Sequence, residues 1–133
     1  MQPVFSIIIP TWNNLPYLKV CIGSIRKNSA YPHQIIVHVN EGTDGALEWV
    51  KNEGLDYTYS EKNIGVCMAC NMMRTRVKTD YIFYLNDDMY LLPGWDTAPT
   101  ILCAWDGQGA GPQRLLSAGF CLWEVPLLGR EPS

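Results

Sequence analysis

Apolar positions change their period repeatedly along the first two-thirds of the chain, and each change marks an element. Val4–Ile9 is an unbroken β-branched and aromatic run closed by Pro10, the pattern of a central strand buried on both faces. From Leu15 to about Asn28, Leu15, Leu18, Cys21, Ile22 and Ile25 recur at helical spacing, with Asn14 placed to cap the helix. "QIIVHV" (Gln34–Val39) predicts a second buried strand, which "NEGTDG" closes with loop chemistry. A short helix over 46–52, a weaker strand over Asp56–Ser60, a helix over 66–77 and a strand over Tyr81–Leu85 follow.

Strands alternating with helices predict an α/β fold, Rossmann-like, with a mostly parallel sheet flanked by helices. Such sheets bind ligands beyond the carboxyl ends of their strands. "PTWNN", "NEGTDG" and "NDD" each lie just past a predicted strand, so they should converge on one rim. Beyond Pro93, Gly and Pro interrupt every candidate element, and only Leu115–Val125 looks strand-like. Residues 96–133 therefore read as a short remainder of the same domain as 1–95.

Composition agrees with one modest globular domain: 133 residues, 47% hydrophobic and 17% charged. A net charge of −3 supplies no basic footprint, so no nucleic-acid partner is expected. The first residues lack the features of a signal peptide, and no apolar run suggests a transmembrane segment. Five cysteines, an odd number, fit reduced thiols and a cytoplasmic protein.

The strand Tyr81–Leu85 delivers Asn86, Asp87 and Asp88 side by side. Adjacent carboxylates at a strand end suit Mg²⁺ or Mn²⁺, with substrate phosphates completing the shell. A solvated turn in which an Asp binds nearby N–H groups is the competing explanation. "CMAC" spells C-x-x-C, but no zinc partner pair or helix start after a strand is evident, so Cys67, Met68 and Cys70 read as a buried helix face. His38, inside a strand, reads as a hydrogen-bonded structural histidine, and His33 as a loop residue.

Four motifs in order resemble glycosyltransferase family 2, nucleotide-diphospho-sugar transferases of the GT-A fold. They are "FSIIIPTWNN" (Phe5–Asn14), "IIVHVNEGTDG" (Ile35–Gly45), "NIGVCMACN" (Asn63–Asn71) and "DYIFYLNDDMYLLPGW" (Asp80–Trp95). The last is similar to the strand that carries the family's DxD-type metal motif.

The resemblance implies a task for each loop. Pro10, Thr11, Trp12 and Asn13 would meet the base and ribose, with the Trp12 ring available for stacking. Glu41 matches the family's uracil-contacting acid, and Asn40 replaces the usual preceding Asp. Asp44 is expected to serve the turn. Asn63 and Gly65 would bring backbone close to the ligand, near Asn71, while Cys70 stands where a basic residue often precedes that Asn. Asn86 would join the nucleotide-sugar site, Asp88 would ligate Mn²⁺ or Mg²⁺ directly, and Asp87, the second residue of the metal motif, would orient the ribose, sugar or metal-bound water.

The implied reaction is metal-dependent, inverting transfer of a sugar from a nucleotide-diphosphate donor, a UDP-sugar, to an acceptor hydroxyl. Glu124 is the candidate general base. The acceptor half looks short or missing, so a nucleotide-sugar-binding module with little transfer activity is the alternative. A nucleotidyltransferase fits less well, because "PTWNN" has neither glycine nor lysine to cradle phosphates. An uncovered apolar face beside "LLSAGFCLW" would favour homo-oligomers.

Overall fold

The computed structural model describes residues 2–97, 114–117 and 120–121. β1 (Phe5–Trp12), α1 (Leu15–Asn28), β2 (Gln34–Asn40), α2 (Ala46–Asn52), β3 (Asp56–Ser60), α3 (Gly65–Arg74) and β4 (Tyr81–Tyr84) alternate as expected. Two short strands follow, β5 (Arg114–Ser117) and β6 (Phe120–Cys121). The six strands form one sheet in the order β3-β2-β1-β4-β5-β6. All neighbours are parallel except β5 and β6, which are antiparallel.

β1 lies between β2 and β4, which explains its continuous apolar run: Ile7, Ile8 and Ile9 are all fully buried. Strand alternation sends Ile7, Ile9, Val37 and Val39 toward α1 and α2, where they meet Leu18, Ile22 and Val50. Ile8, Ile36 and Ile82 face the other way and pack on Ala69, Cys70 and Met73 of α3. The mostly parallel, helix-flanked sheet is as predicted, and its order reverses direction between β1 and β4. That reversal opens a crevice at the carboxyl ends of the strands.

Three local expectations need correction. Asn14 makes no side-chain cap on α1; the Leu15 N–H instead donates to Asp44 Oδ2 at 2.9 Å. Asp44 also receives the Ala46 N–H at 3.1 Å, so one turn residue caps the starts of two helices. Cys67 and Met68 do not belong to a buried helix face. Met68 is 57% exposed and Cys67 is exposed, while Cys70 is buried, because α3 turns only one side to the sheet. Finally, α3 ends at Arg74, and Thr75, Arg76 and Val77 continue only with bonds to the third residue back.

After β4 the chain runs along α1 toward the opposite end of the sheet. The Leu91 N–H donates to Ser24 Oγ at 3.0 Å, and Asn28 Nδ2 donates to the Leu91 carbonyl at 2.7 Å. Trp95 then packs on Phe83 and His33, with ring centroids 5.1 and 4.9 Å away. Among the described residues, no helix is long and apolar enough to cross a membrane.

Candidate functional site

Past the carboxyl ends of β1, β2 and β4 lies a cleft of about 410 Å³. β1 and its following turn supply Pro10, Thr11, Trp12, Asn13 and Asn14. Asn40 closes β2, Asn63, Gly65 and Val66 come from the start of α3, and Tyr84, Asn86 and Asp87 come from the end of β4. Nine of the residues singled out from the sequence thus meet in one place. Glu41 and Asp88 stand beside this lining, and Asn71 lies half-buried farther along α3. Glu124 lies outside the described residues.

The rim is built from two residues in the left-handed backbone region. Trp12 and Asn40 are partners in the β1–β2 register, and the next residue of each strand, Asn13 and Glu41, has φ of 46° and 63°. Non-glycine residues held there carry strain, and such strain concentrates at functional sites. Asn13 Nδ2 donates to Glu41 Oε2 at 3.3 Å, and Asn13 Oδ1 accepts from the Thr43 N–H at 3.1 Å. Asn13 therefore ties the two loops together. Gly42 is required behind Glu41, since a Cβ there would meet Val39 Cγ1 at 2.9 Å and φ is +71°.

Asn40 is buried, and both the nitrogen and the oxygen of its amide are engaged. Nδ2 donates to the Thr11 carbonyl at 3.2 Å, while Oδ1 accepts from Ser60 Oγ at 3.1 Å and the Ile64 N–H at 3.0 Å. An Asp in this position would lack the donor for Thr11. Ser60 Oγ also lies 2.9 Å from His38 Nε2, and His38 Nδ1 lies 2.7 Å from Thr58 Oγ1. Burial lowers the His38 pKa against a weaker opposing effect of Asn40, so the imidazole is a neutral bridge between β2 and β3.

The acidic pair divides into an anchored and an exposed carboxylate. Thr11 Oγ1 donates to Asp87 Oδ2 at 2.8 Å, whereas Asp88 is exposed. Beneath them the buried Cys21 Sγ–H donates to the Asn86 carbonyl at 3.6 Å. Burial, reinforced by the charge of Asp87, pushes the Cys21 thiol up to about 12, so it stays a neutral donor. Tyr84 was not singled out from the sequence, where it reads only as a strand residue. Its hydroxyl donates to Asn86 Oδ1 at 2.8 Å, and burial followed by the nearby Cys70 and Asp87 raises its pKa.

Among the described residues no group of three or more His, Cys, Asp or Glu side chains converges. The donor set at the rim is two adjacent carboxylates, which fits a hard divalent cation sharing its shell with ligand phosphates and water. It does not fit a closed zinc site.

A mostly parallel sheet with helices on both faces, whose strand order reverses beside a polar, acid-edged cleft, defines the Rossmann-like α/β class. The chain belongs to glycosyl transferase family 2, whose family model matches residues 6–98. TuaG of Bacillus subtilis (strain 168), provisionally named a teichuronic acid biosynthesis glycosyltransferase, is 27% identical over an alignment of 93 residues that covers 65% of this chain and 36% of TuaG. S. aureus TarS 1–349, solved in complex with UDP-GlcNAc, superposes with a TM-score of 0.64 at 21% identity, covering 80% of this chain and 36% of TarS 1–349. The mannosyltransferase PcManGT from Pyrobaculum calidifontis, solved with GDP-Man and Mn²⁺, gives 0.57 at 21% identity over 76% of this chain and 31% of its own. The structural likenesses show the fold. The chain spans about a third of the length of these relatives.

Proposed function

We propose that this chain forms the donor-binding half of a metal-dependent, inverting glycosyltransferase that takes a UDP-sugar. The observation that carries the reading is the Thr11–Asp87 hydrogen bond, which brings the ends of β1 and β4 together at the sheet's switch point, inside the cleft. The complexes of TarS with UDP-GlcNAc and of PcManGT with GDP-Man and Mn²⁺ support a nucleotide-sugar and a divalent cation.

In this reading Trp12 stacks on the base, and Glu41 accepts a base imide N–H. Gly65, with φ of +79°, lets the α3 backbone approach the diphosphate, beside Asn63 and with Asn71 behind. Asn86 and Asp87 orient the ribose or sugar, and Asp88 holds Mn²⁺ or Mg²⁺. The bound cation supplies Lewis-acid stabilisation of the leaving diphosphate. Glu124 is the proposed general base on the acceptor hydroxyl, within a remainder, 96–133, that belongs to the same domain.

Titration calorimetry with UDP, with and without Mn²⁺, tests the donor half, and UDP release from UDP-sugars in the presence of simple acceptors separates transfer from binding alone. Absence of UDP binding under both metal conditions rejects the donor reading.

A further inference from the structure

Two cysteines follow directly on Gly65 and Val66, the α3 residues that line the cleft, without a part in the donor reading. α3 begins at Gly65, so Cys67 falls in its first turn and Cys70 in its second, directly after β3 and the short 61–64 connection. A helix start after a strand is the setting in which a C-x-x-C pair becomes redox-active. Cys67 is exposed, Cys70 is buried with Ala69, Met73 and Ile8, and both are free thiols. Residues three apart on an α-helix have Cα atoms about 5 Å apart, inside the span of about 4.4–6.8 Å that disulfides accept.

We propose that Cys67 and Cys70 form a reversible dithiol–disulfide pair that reshapes the cleft wall, with small-molecule disulfides and dithiols as its co-reactants. The consequence for ligand affinity rests on the donor reading above.

Cys67, reachable from solvent, attacks one sulfur of the small-molecule disulfide and expels the first thiolate. Cys70 then attacks the Cys67 sulfur in this mixed disulfide and expels the second. Two protein thiols are oxidised to one disulfide, one external disulfide is reduced to two thiols, and the cysteine protons pass to the released thiolates. The order follows from the environment: burial first, then neighbouring Cys67, pushes the Cys70 thiol up to about 11, so it does not initiate.

Closure must move the cleft. Helical Cβ atoms at this spacing lie about 5–6 Å apart, whereas a disulfide needs about 3.5–4.5 Å. Cys70 is held in the apolar layer beneath the sheet, so the first turn of α3 absorbs the difference. That turn carries Gly65 and Val66, which line the cleft, and follows Asn63, whose Oδ1 accepts the Gly65 N–H at 3.0 Å.

Cleavage after Lys62 and Arg74 releases Asn63–Arg74, a peptide holding these two cysteines and no other. Treating the whole chain with oxidised glutathione should remove two hydrogens from this peptide, change amide hydrogen exchange over 63–66, and weaken UDP binding in Mn²⁺ about tenfold, with dithiothreitol restoring it. In Cys67→Ser, an exposed position, UDP affinity should no longer respond to the oxidant. A glutathione adduct on Cys67 with Cys70 still free overturns the pair, as does an internal disulfide that leaves exchange and affinity unchanged. If the reduced chain binds no UDP, the donor reading falls by itself, and the peptide mass with exchange over 63–66 still decides the disulfide and the wall movement.

Discussion

Thr11 Oγ1 donates to Asp87 Oδ2 at 2.8 Å, joining residues 76 positions apart across the point where the strand order reverses. Thr11 is buried and Asp87 half-buried, so this bond sets the direction of the one carboxylate that lines the cleft among the described residues. Thr11→Val keeps the shape and removes the donor. We expect UDP affinity in Mn²⁺ to fall by about 1 kcal/mol, the usual size of such a bond, with little change in melting temperature. Calorimetry that returns parental affinity for this variant would detach Thr11 from the site.

Asp88 offers an exposed carboxylate beside the anchored one. UDP should bind more tightly with Mn²⁺ than with EDTA, and Asp88→Ala should abolish that difference. Asp87→Asn should be milder, because an amide oxygen can still accept from Thr11. Equal UDP affinity with and without metal in the parent chain argues against the acidic pair as a cation site.

Trp12 is 55% exposed although it closes a buried strand, an arrangement that leaves its ring free to stack. Trp12→Ala should weaken UDP binding by about 1–3 kcal/mol while the fold persists. Loss of folding without a separable binding defect would make Trp12 a packing residue.

Glu41 holds a φ of 63°, a conformation that glycine adopts without strain. Glu41→Gly should therefore leave the melting temperature at or above that of the parent while UDP affinity drops. A clear loss of stability together with unchanged affinity would mean that the side chain serves the loop alone.

At the other end of the sheet, the Asp96 carboxylate accepts the Ala30 and Tyr31 N–H groups and His33 Nε2 at 2.8–3.0 Å. The Phe5 N–H donates to His33 Nδ1 at 3.3 Å, which leaves the proton on Nε2 and the ring neutral. Burial lowers the His33 pKa and outweighs the opposing pull of Asp96, and burial likewise lowers that of His38. For Asp96, burial alone would raise the pKa, but the Ala30, His33 and Tyr31 hydrogen bonds bring it below the ordinary value. All three groups bind protons more readily unfolded, so stability rises with pH. The histidine contributions should fade as pH falls below about 6.5 and that of Asp96 below about 4. Urea midpoints should drop between pH 7 and 5 and drop less in His33→Gln; a flat profile would contradict the neutral assignment.

Local periodicity determined most of the scaffold. The alternation of strand and helix, the centrality of β1 and the loops that reach the rim follow from runs such as "FSIII" and "QIIVHV", because burial on one or both faces leaves a repeat visible in neighbouring residues. The meeting of Thr11, Trp12, Asn40 and Asp87 was legible for the same reason: each sits just past a strand end in a parallel sheet. The tertiary structure alone decided which side chains are spent on the scaffold. Asp44 caps α1 from another loop, Asn40 latches three segments, Asp96 ties the chain after β4 to the start of β2, and Tyr84 lines the cleft. The hydrogen bonds among these join residues 20 to 66 positions apart. They depend on strand order and on which side of a helix meets the sheet, and neither leaves a periodic trace in the chain.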